Sequence, residues 1–220
     1  MKNEIYGVIF DMDGVLVDSY QPHLKSWQIV AHEFGHDLTE QQFQQTFGCV
    51  SAEIIRTNWG ENISDEEIAR FDHRKEAVYR DLIRDNIPAV SGLYELLPKL
   101  SSNSARIAVG SSGPIENVEM VLEGLKIKPY FNAVVSSKDV TRGKPDPQIF
   151  LTAAQRLDLP VNRCVVIEDA PAGIEAAHRA EMKVIALTTS YSADRIADAD
   201  LICRDLFGVS PEKIHTLLNL

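Results

Sequence analysis

The sequence predicts an α/β fold, a doubly wound parallel sheet with an inserted helical cap domain. Short apolar runs alternate with longer amphipathic segments, and one long stretch after the first run contains no further run of this kind. Strands that alternate with helices form parallel sheets whose faces are covered by the helices. The predicted strands are Tyr6 to Phe10, Ile107 to Gly110, Ala133 to Val135, Cys164 to Ile167, Val184 to Leu187 and Leu201 to Cys203.

Helix start signals lie ahead of two of the amphipathic segments. Asp146 and Pro147 precede one of them, and Ser210 and Pro211 precede the last one. Each pair places a capping residue ahead of a proline, which suits a first helical turn because the N–H that proline lacks would be unpaired there. We therefore predict helices that begin just after Asp146 and Ser210.

The stretch from about Ser19 to about Pro88 interrupts the alternation, because its pattern is helical and polar throughout. Residues 64–67, Ser-Asp-Glu-Glu, fit a capping box and support a helix there. We predict a Rossmann-like catalytic core of residues 1–17 and 90–220 and an inserted α-helical cap of residues 18–89. Both connections would leave the same edge of the sheet, which suits a hinged lid.

Composition and charge narrow the class of protein. The chain has 220 residues, and its 22 Lys and Arg against 32 Asp and Glu give a net charge of -10 without any basic run. This balance argues against nucleic acid and anionic membrane as partners. Cysteine occurs only at positions 49, 164 and 203, a spacing that favours neither a disulfide framework nor a structural zinc site. Without a signal peptide or a long apolar span, a cytoplasmic location is expected.

Polar residues follow the predicted strands. In an open α/β sheet, ligands bind outside the carboxyl ends of the strands, so these residues are the candidates for a site. Taken singly, each has a structural explanation as a turn residue, a helix cap or a surface lysine. Their joint position favours a site. They are Asp11, Met12, Asp13 and Gly14 after the first strand, Ser111 and Ser112 after the second, Lys144 ahead of Pro145, and Glu168 and Asp169 after the fourth.

Clustered carboxylates raise one another's pKa unless a cation compensates them, and magnesium prefers oxygen ligands. Asp11, Asp169 and the backbone carbonyl of Asp13 would suit Mg²⁺. Asp11, fixed by the strand before it, would attack phosphorus and form an aspartyl phosphate. Asp13 would exchange the proton of the leaving group and of the attacking water, while Ser111 and Lys144 hold phosphate oxygens.

Four segments, FDMDGVLVDS, VGSSG, GKPDP and VIEDAPAGIEAA, resemble the four motifs of the haloacid dehalogenase superfamily. The resemblance runs the length of the chain, and the helical insertion is similar to the cap of the subfamily that contains β-phosphoglucomutase and many sugar-phosphate phosphatases. The resemblance implies a Mg²⁺-dependent enzyme that acts on a small phosphorylated metabolite. It implies Asp11 as nucleophile, Asp13 as general acid/base, Ser111, Ser112 and Lys144 as phosphate-binding residues, and Asp11, Asp13, Glu168 and Asp169 as the metal site.

Two segments within the subfamily resemble the mutase. They are DSYQPHLKSW and FDHRKEAVY, in which Ser19, His23 and Lys75 fall where the mutase's cap-linked hydrogen-bonding trio would be. The alternatives are that His23 is a packed helix residue and that Lys75 is a solvated surface charge. We expect these three residues to take part in substrate binding or in the hydrogen bonding that links to the cap.

The segment at residues 46–53 argues against the mutase. It has Phe47 and Ala52 where the mutase's cap would present basic residues to the far phosphate of its substrate, and Arg56, the nearest cation, comes about one helical turn later. A mutase must hold a bisphosphate intermediate through two orientations. The missing pair therefore favours a phosphatase, a sugar-phosphate phosphohydrolase, with the hexose phosphate mutase as the alternative. A monomer is the expected state.

A non-catalytic phospho-switch of the receiver type is a further alternative, because receivers also place aspartates, a hydroxyl and a lysine at strand tips. Asp13 and the helical insertion argue against it. Residues 110–113 lack the G-x-S-x-G spacing of a serine hydrolase, and Pro145 directly after Lys144 argues against a P-loop.

Overall fold

The structure is a computed structural model and describes residues 4–46 and 50–220. Its centre is a six-stranded parallel sheet in the order β3-β2-β1-β4-β5-β6. This sheet, with helices between its strands, confirms the predicted fold class. The strands are β1 (Tyr6–Phe10), β2 (Ala105–Gly110), β3 (Ala133–Val135), β4 (Cys164–Glu168), β5 (Lys183–Leu187) and β6 (Leu201–Cys203).

The helices connect these strands and form the insertion. They are α1 (Tyr20–Glu33), α2 (Glu40–Thr46), α3 (Ser51–Trp59), α4 (Asp65–Ile83), α5 (Leu93–Ser102), α6 (Ile115–Gly124), α7 (Gln148–Arg156), α8 (Pro171–Arg179) and α9 (Pro211–Leu218). Short 3-10 helices span Lys128–Tyr130, Ser137–Asp139, Val161–Arg163 and Leu206–Gly208. No helix among the described residues has the length and apolar content needed to cross a bilayer.

The chain divides into two compact units. One comprises the described residues up to Asp18 together with Pro88–Leu220, and the other comprises Ser19–Ile87. In the first unit, all residues of β1 are buried because β1 lies between β2 and β4 and is covered on both faces. A strand in this position needs apolar side chains in both directions, which explains the unbroken apolar run that marks it in the sequence.

The helical unit has an aromatic core. The Trp27 and Phe71 rings lie 5.3 Å apart between centroids, and Phe34 packs on Phe71 at 4.9 Å. The predicted capping box is confirmed, because the Ser64 hydroxyl accepts from the backbone N–H of Glu67 while the Glu67 carboxylate accepts from that of Ser64. This cap satisfies N–H groups that the first turn of α4 would otherwise leave unpaired.

The predicted cap of α9 is confirmed, whereas α7 begins one residue later than predicted, with Pro147 and not Asp146 at the capping position. The Ser210 hydroxyl accepts from the backbone N–H of Lys213 at the start of α9. At the start of α7, the Asp146 carboxylate accepts from the backbone N–H of Gln148 at 3.0 Å. Cys164 and Cys203 are buried free thiols, and Cys49 lies outside the described residues.

Candidate active site

Three carboxylates meet at the carboxyl ends of the neighbouring strands β1 and β4. Asp11 directly follows β1, Glu168 is the last residue of β4, and Asp169 comes next. Each offers an oxygen, and these oxygens lie within 4.8 Å of one another. The Asp11 backbone N–H donates to the carbonyl of Ile167 at 2.9 Å, so sheet pairing fixes the place of this aspartate. All three side chains are buried.

Lys144 joins two of these carboxylates. Its Nζ lies 2.6 Å from Asp11 Oδ1 and 2.6 Å from Glu168 Oε1, and its side chain is 9% exposed. Burial alone would lower the pKa of Lys144, but the attraction of both carboxylates raises it above its usual value. The ammonium is therefore charged, and it fixes the relative position of Asp11 and Glu168.

Burial is the largest of the effects that together raise the pKa of Asp11 to about 7, and the nearby Lys144 opposes it by lowering that pKa. The nearby charges of Glu168 and Asp13 contribute to this raised pKa. One ammonium thus compensates only part of the negative charge that the fold collects here. A compensating cation at this point would favour the ionised form of Asp11.

Glu168 is held from both sides. Its Oε2 accepts from the backbone N–H groups of Asp169 and Ala170, at 2.7 and 2.8 Å, just ahead of α8. The carboxylate fills the space beside Gly173, where an added Cβ would lie 1.8 Å from Oε1. Glu168 therefore has no room to move, and its negative charge lies close to the amino end of α8, where the helix dipole favours it.

Asp169 has an oxygen without a partner. Its Oδ2 is buried and accepts no hydrogen bond from residues 4–46 or 50–220. Burial, and then the charges of Glu168 and Asp11, raises the pKa of Asp169 well above its usual value. A buried, unpaired carboxylate oxygen is costly unless a cation satisfies it. The residues present at this point therefore fit a divalent metal ion.

Two residues that the sequence analysis missed lie at the same place. The Thr189 hydroxyl donates to the carbonyl of Gly14 at 2.6 Å. Ser190 Oγ is buried beside the Asp169 carboxylate, and its hydroxyl lowers the pKa of Asp169 against the larger effect of burial. It lies 2.7 Å from the point that a Cβ on Gly14 would occupy, while Asp169 Oδ2 lies 1.9 Å from that point. Both residues follow β5, so the rule that identified the other strand tips would have found them.

A tight turn separates Asp11 from Asp13. The backbone N–H groups of residues 15–17 all donate to the carbonyl of Met12, and the Gly14 N–H donates to that of Val17 at 2.8 Å. Gly14 has φ of 74°, a left-handed conformation that favours glycine. Asp13 is half-buried, and its Oδ2 lies 4.0 Å from the point that a Cβ on Gly113 would occupy. The turn thus directs the Asp13 carboxylate towards the loop after β2.

That loop contains Ser111 and Ser112. Ser111 is buried, its N–H donates to the carbonyl of Val135 at 3.0 Å, and its hydroxyl accepts from the backbone N–H of Gly113 at 3.0 Å. The alternative of a helix cap is wrong for Ser111, because the residue that caps α6 is Pro114. Ser112 is exposed. The structure therefore brings Ser111, but not the side chain of Ser112, into the buried part of the loop.

Ser19, His23 and Lys75 lie in the helical unit, and all three are buried. The His23 ring stacks on Tyr79 with centroids 4.0 Å apart, and Lys75 Nζ lies 5.8 Å from the centroid of the same Tyr79 ring. Lys75 also pairs with Glu76 at 2.7 Å. The alternative of a solvated Lys75 is therefore wrong. Ser19 Oγ has no hydrogen-bond partner in the part of the chain that the structure describes.

The segment that argued against a mutase is only partly described. Phe47 lies outside the described residues, and Ala52 is half-buried in α3. Arg56 is paired with Asp65, with 2.6 Å between the guanidinium and the carboxylate. This cation is thus engaged within the helical unit itself.

Three known proteins are similar to this chain over most of its length. Fructose-1-phosphate phosphatase of Escherichia coli is 31% identical over 84% of this chain and 97% of its own. Beta-phosphoglucomutase of Bacillus subtilis is 30% identical over 94% and 93%. The crystal structure of beta-phosphoglucomutase from Clostridium difficile superposes with a TM-score of 0.86, at 28% identity over 98% of each chain.

The sequence pattern of the haloacid dehalogenase-like hydrolases matches residues 8–187, well over half of the chain. The match spans Asp11, Ser111 and Asp169 at the strand tips and Lys144 in the loop before α7. It confirms the resemblance that the four motifs indicated. The chain is therefore an enzyme of the phosphoric monoester hydrolase class. The chain belongs to the haloacid dehalogenase-like hydrolase family.

Proposed function

We propose that this protein is a Mg²⁺-dependent phosphatase for a small phosphorylated metabolite, a sugar phosphate, with Asp11 as the nucleophile. The observation that carries the proposal is the buried cluster in which Lys144 joins Asp11 to Glu168, beside the unpaired oxygen of Asp169. Relatives named as sugar-phosphate and carbohydrate phosphatases support this choice of substrate class.

Asp11, Asp169 and the backbone carbonyl of Asp13 would hold the metal ion, with Glu168 close by through its contact with Lys144. Their oxygens suit a hard divalent cation. When bound, Mg²⁺ would neutralise part of the charge of the carboxylates and of the phosphoryl group.

In the first step, a carboxylate oxygen of Asp11 attacks phosphorus, and the bond from phosphorus to the ester oxygen breaks. An aspartyl phosphate forms on Asp11, and the electron pair of the broken bond stays on the leaving oxygen. Asp13 gives its proton to that oxygen, so that the product leaves as a neutral alcohol. Asp13 lies two residues after Asp11, and its carboxylate is directed towards the loop that carries Ser111. This position supports Asp11 as the nucleophile and Asp13 as the acid.

In the second step, Asp13, now ionised, accepts a proton from water while the water oxygen attacks the same phosphorus. The bond from phosphorus to Asp11 breaks, and the electron pair returns to the Asp11 carboxylate. Inorganic phosphate leaves, and Asp13 again carries the proton with which it began. The Lys144 ammonium and the Ser111 hydroxyl would hold the phosphoryl oxygens through both steps.

A β-phosphoglucomutase-like activity is the second candidate. The resemblance of the segments that carry Ser19, His23 and Lys75 to the mutase favours it, as does the similarity to the mutase of Bacillus subtilis. In a mutase, a second phosphorylated sugar rather than water accepts the phosphoryl group. Phe47 and Ala52 stand where the mutase would have its basic pair, which supports the phosphatase.

The test is phosphate release from a panel of sugar phosphates with Mg²⁺, run beside an assay for conversion of glucose 1-phosphate to glucose 6-phosphate. We expect phosphate release and little isomerisation. Asp11→Asn serves as the control for a contaminating phosphatase. Isomerisation faster than phosphate release would support the mutase, and inactivity on both would overturn the proposed chemistry.

A second test concerns Asp13, because a receiver-like switch does not need an acid at this position. Asp13→Asn should lower turnover of alkyl phosphates by about 10²- to 10⁴-fold, the usual contribution of general acid/base catalysis. An aryl phosphate, whose leaving group departs without a proton, should lose less in the first step, so that phosphoenzyme accumulates and appears as a burst. Equal losses on both substrates, with no burst, would show that Asp13 has no acid/base role.

A further inference from the structure

The loop that carries Lys144 has no helix or strand, yet it must keep the Lys144 ammonium in contact with two carboxylates. Lys144 lies between the 3-10 helix Ser137–Asp139 and the start of α7. The residues just before it, Thr141, Arg142 and Gly143, are exposed. An exposed loop gains little from packing, so polar contacts have to determine its conformation.

Those contacts come from the first residue of α7. Gln148 Oε1 accepts from the backbone N–H of Thr141 at 2.9 Å, from the Thr141 hydroxyl at 3.2 Å and from the backbone N–H of Arg142 at 3.1 Å. One side-chain oxygen thus closes the segment across seven residues. Because all three donors reach the amide oxygen, the contact needs an acceptor at this place and not an amide as such.

Asp146 fixes Gln148 in turn. Its Oδ1 accepts from the backbone N–H of Gln148 at 3.0 Å, and its Oδ2 pairs with the Arg142 guanidinium at 3.0 Å. The Asp146 N–H donates to the carbonyl of Gly143 at 3.0 Å. The segment around Lys144 is therefore closed by contacts from Asp146 and Gln148, while the Lys144 side chain extends into the buried carboxylate cluster.

We propose that Gln148 is a positioning residue, which holds the loop at residues 141–143 so that the Lys144 ammonium stays on Asp11 and Glu168. Its effect on turnover rests on the proposed function, in which Lys144 binds the phosphoryl group. The effect of Gln148 on the position of Lys144 does not rest on the proposed function, because the loop contacts exist whatever the reaction is.

The variants separate the acceptor from the rest of the side chain. Gln148→Met keeps the length without an acceptor, and Gln148→Asn keeps the amide but shortens the reach. Gln148→Glu keeps an acceptor oxygen at the same distance, and an acidic residue is favourable in the first turn of a helix. Gln155→Met is the matched control, because Gln155 is exposed on the same helix.

The measurement is the rate at which acetic anhydride in trace amounts acetylates Lys144, followed by mass spectrometry in the full-length protein. Lys128, with a side chain 53% exposed, is the internal reference. In Gln148→Met and Gln148→Asn, labelling of Lys144 should rise about tenfold, the factor that corresponds to one or two lost hydrogen bonds. Gln148→Glu and Gln155→Met should label as the wild type does.

Turnover of p-nitrophenyl phosphate with Mg²⁺ is measured on the same samples. The value of kcat/KM should fall in Gln148→Met and Gln148→Asn, in which labelling rises, and should match the wild type in Gln148→Glu and Gln155→Met. Wild-type labelling of Lys144 in folded Gln148→Met or Gln148→Asn would overturn the proposal, and so would a Gln148→Glu that behaves as Gln148→Met does. If Gln148→Met does not fold, Gln148→Asn decides. A wild type that releases no phosphate would overturn the proposed function, while the labelling still decides the role of Gln148.

Discussion

A methyl group at position 173 should destabilise this protein, although alanine is a better helix former than glycine. In the structure, a Cβ on Gly173 would lie 1.8 Å from Glu168 Oε1 and 2.0 Å from its carboxyl carbon. Glu168 is buried, so its side chain cannot move aside into solvent. Gly173→Ala must therefore displace the carboxylate from Lys144 and from the N–H groups of Asp169 and Ala170.

The magnitude follows from those contacts. Breaking one side of a buried ion pair costs about 3–5 kcal/mol, whereas alanine in place of glycine within a helix gains about 1 kcal/mol. The net loss is about 2–4 kcal/mol in the free energy of unfolding. For a chain of this size, that loss lowers the midpoint of thermal unfolding by about 5–15 °C. The assay is thermal unfolding followed by calorimetry.

A double-mutant cycle isolates the cause, because the steric argument applies only while Glu168 is present. In a Glu168→Ala background, Gly173→Ala has no carboxylate to displace and should raise the midpoint slightly through helix propensity alone. The reasoning fails if Gly173→Ala lowers the midpoint by the same amount in both backgrounds, or by less than about 2 °C in the wild type.

Further predictions concern the charged cluster. Asp11→Asn should retain the fold by circular dichroism and keep less than about a thousandth of the phosphatase activity, as expected for loss of a covalent nucleophile. Lys144→Met should lower kcat/KM by about 10- to 150-fold, the value of one charge-assisted hydrogen bond; an unchanged kcat/KM would remove it from the site. Chelation should abolish phosphate release, and added Mg²⁺ should restore it; activity that survives exhaustive chelation contradicts the metal proposal. The pKa of Asp11 is about 7 in the folded state and about 4 in the unfolded chain, so the folded state binds the proton more tightly. With chelator present, the contribution of Asp11 to the free energy of unfolding should therefore fall as the pH rises from about 4 to 7. Urea unfolding of wild type and Asp11→Asn at several pH values checks that sign.

The strands and their tips could be predicted because their causes are local. An unbroken apolar run marks a strand covered on both faces, and parallel strands bring their carboxyl ends to one edge. That rule alone predicts that Asp11, Glu168 and Asp169 lie together. The apolar run predicts a second strand that starts at Ile107, whereas β2 starts at Ala105, because Arg106 interrupts the run. The structure accommodates this charge in β2 since its guanidinium donates to the carbonyl of Leu157.

Partners distant in the sequence could not be predicted. Lys144 contacts a residue 133 positions away, and no periodicity indicates that it bridges two carboxylates. Lys75 was open to interpretation as a solvated charge, because the sequence HRKE at residues 73–76 does not show which side chain faces the aromatic core. Its burial depends on the packing of α4 against α1, which brings Trp27 to its ammonium, while Tyr79 lies one turn further along α4 itself.

The two aspartates of the first loop differ in surroundings, and that difference matches what the two proposed roles require. A nucleophile benefits from a site that excludes water and holds it in one orientation; Asp11 is buried, bound to Lys144 and fixed by its backbone to β4. A general acid/base must exchange a proton with the substrate and then with water, and Asp13 is half-exposed beside the Ser111 loop. Met12, between them, is fully buried, and its carbonyl accepts the N–H groups that close the turn. The turn therefore separates the two environments within three residues. It can be this tight because Gly14 adopts a left-handed conformation, in which the Cβ of any larger residue would clash with Asp169.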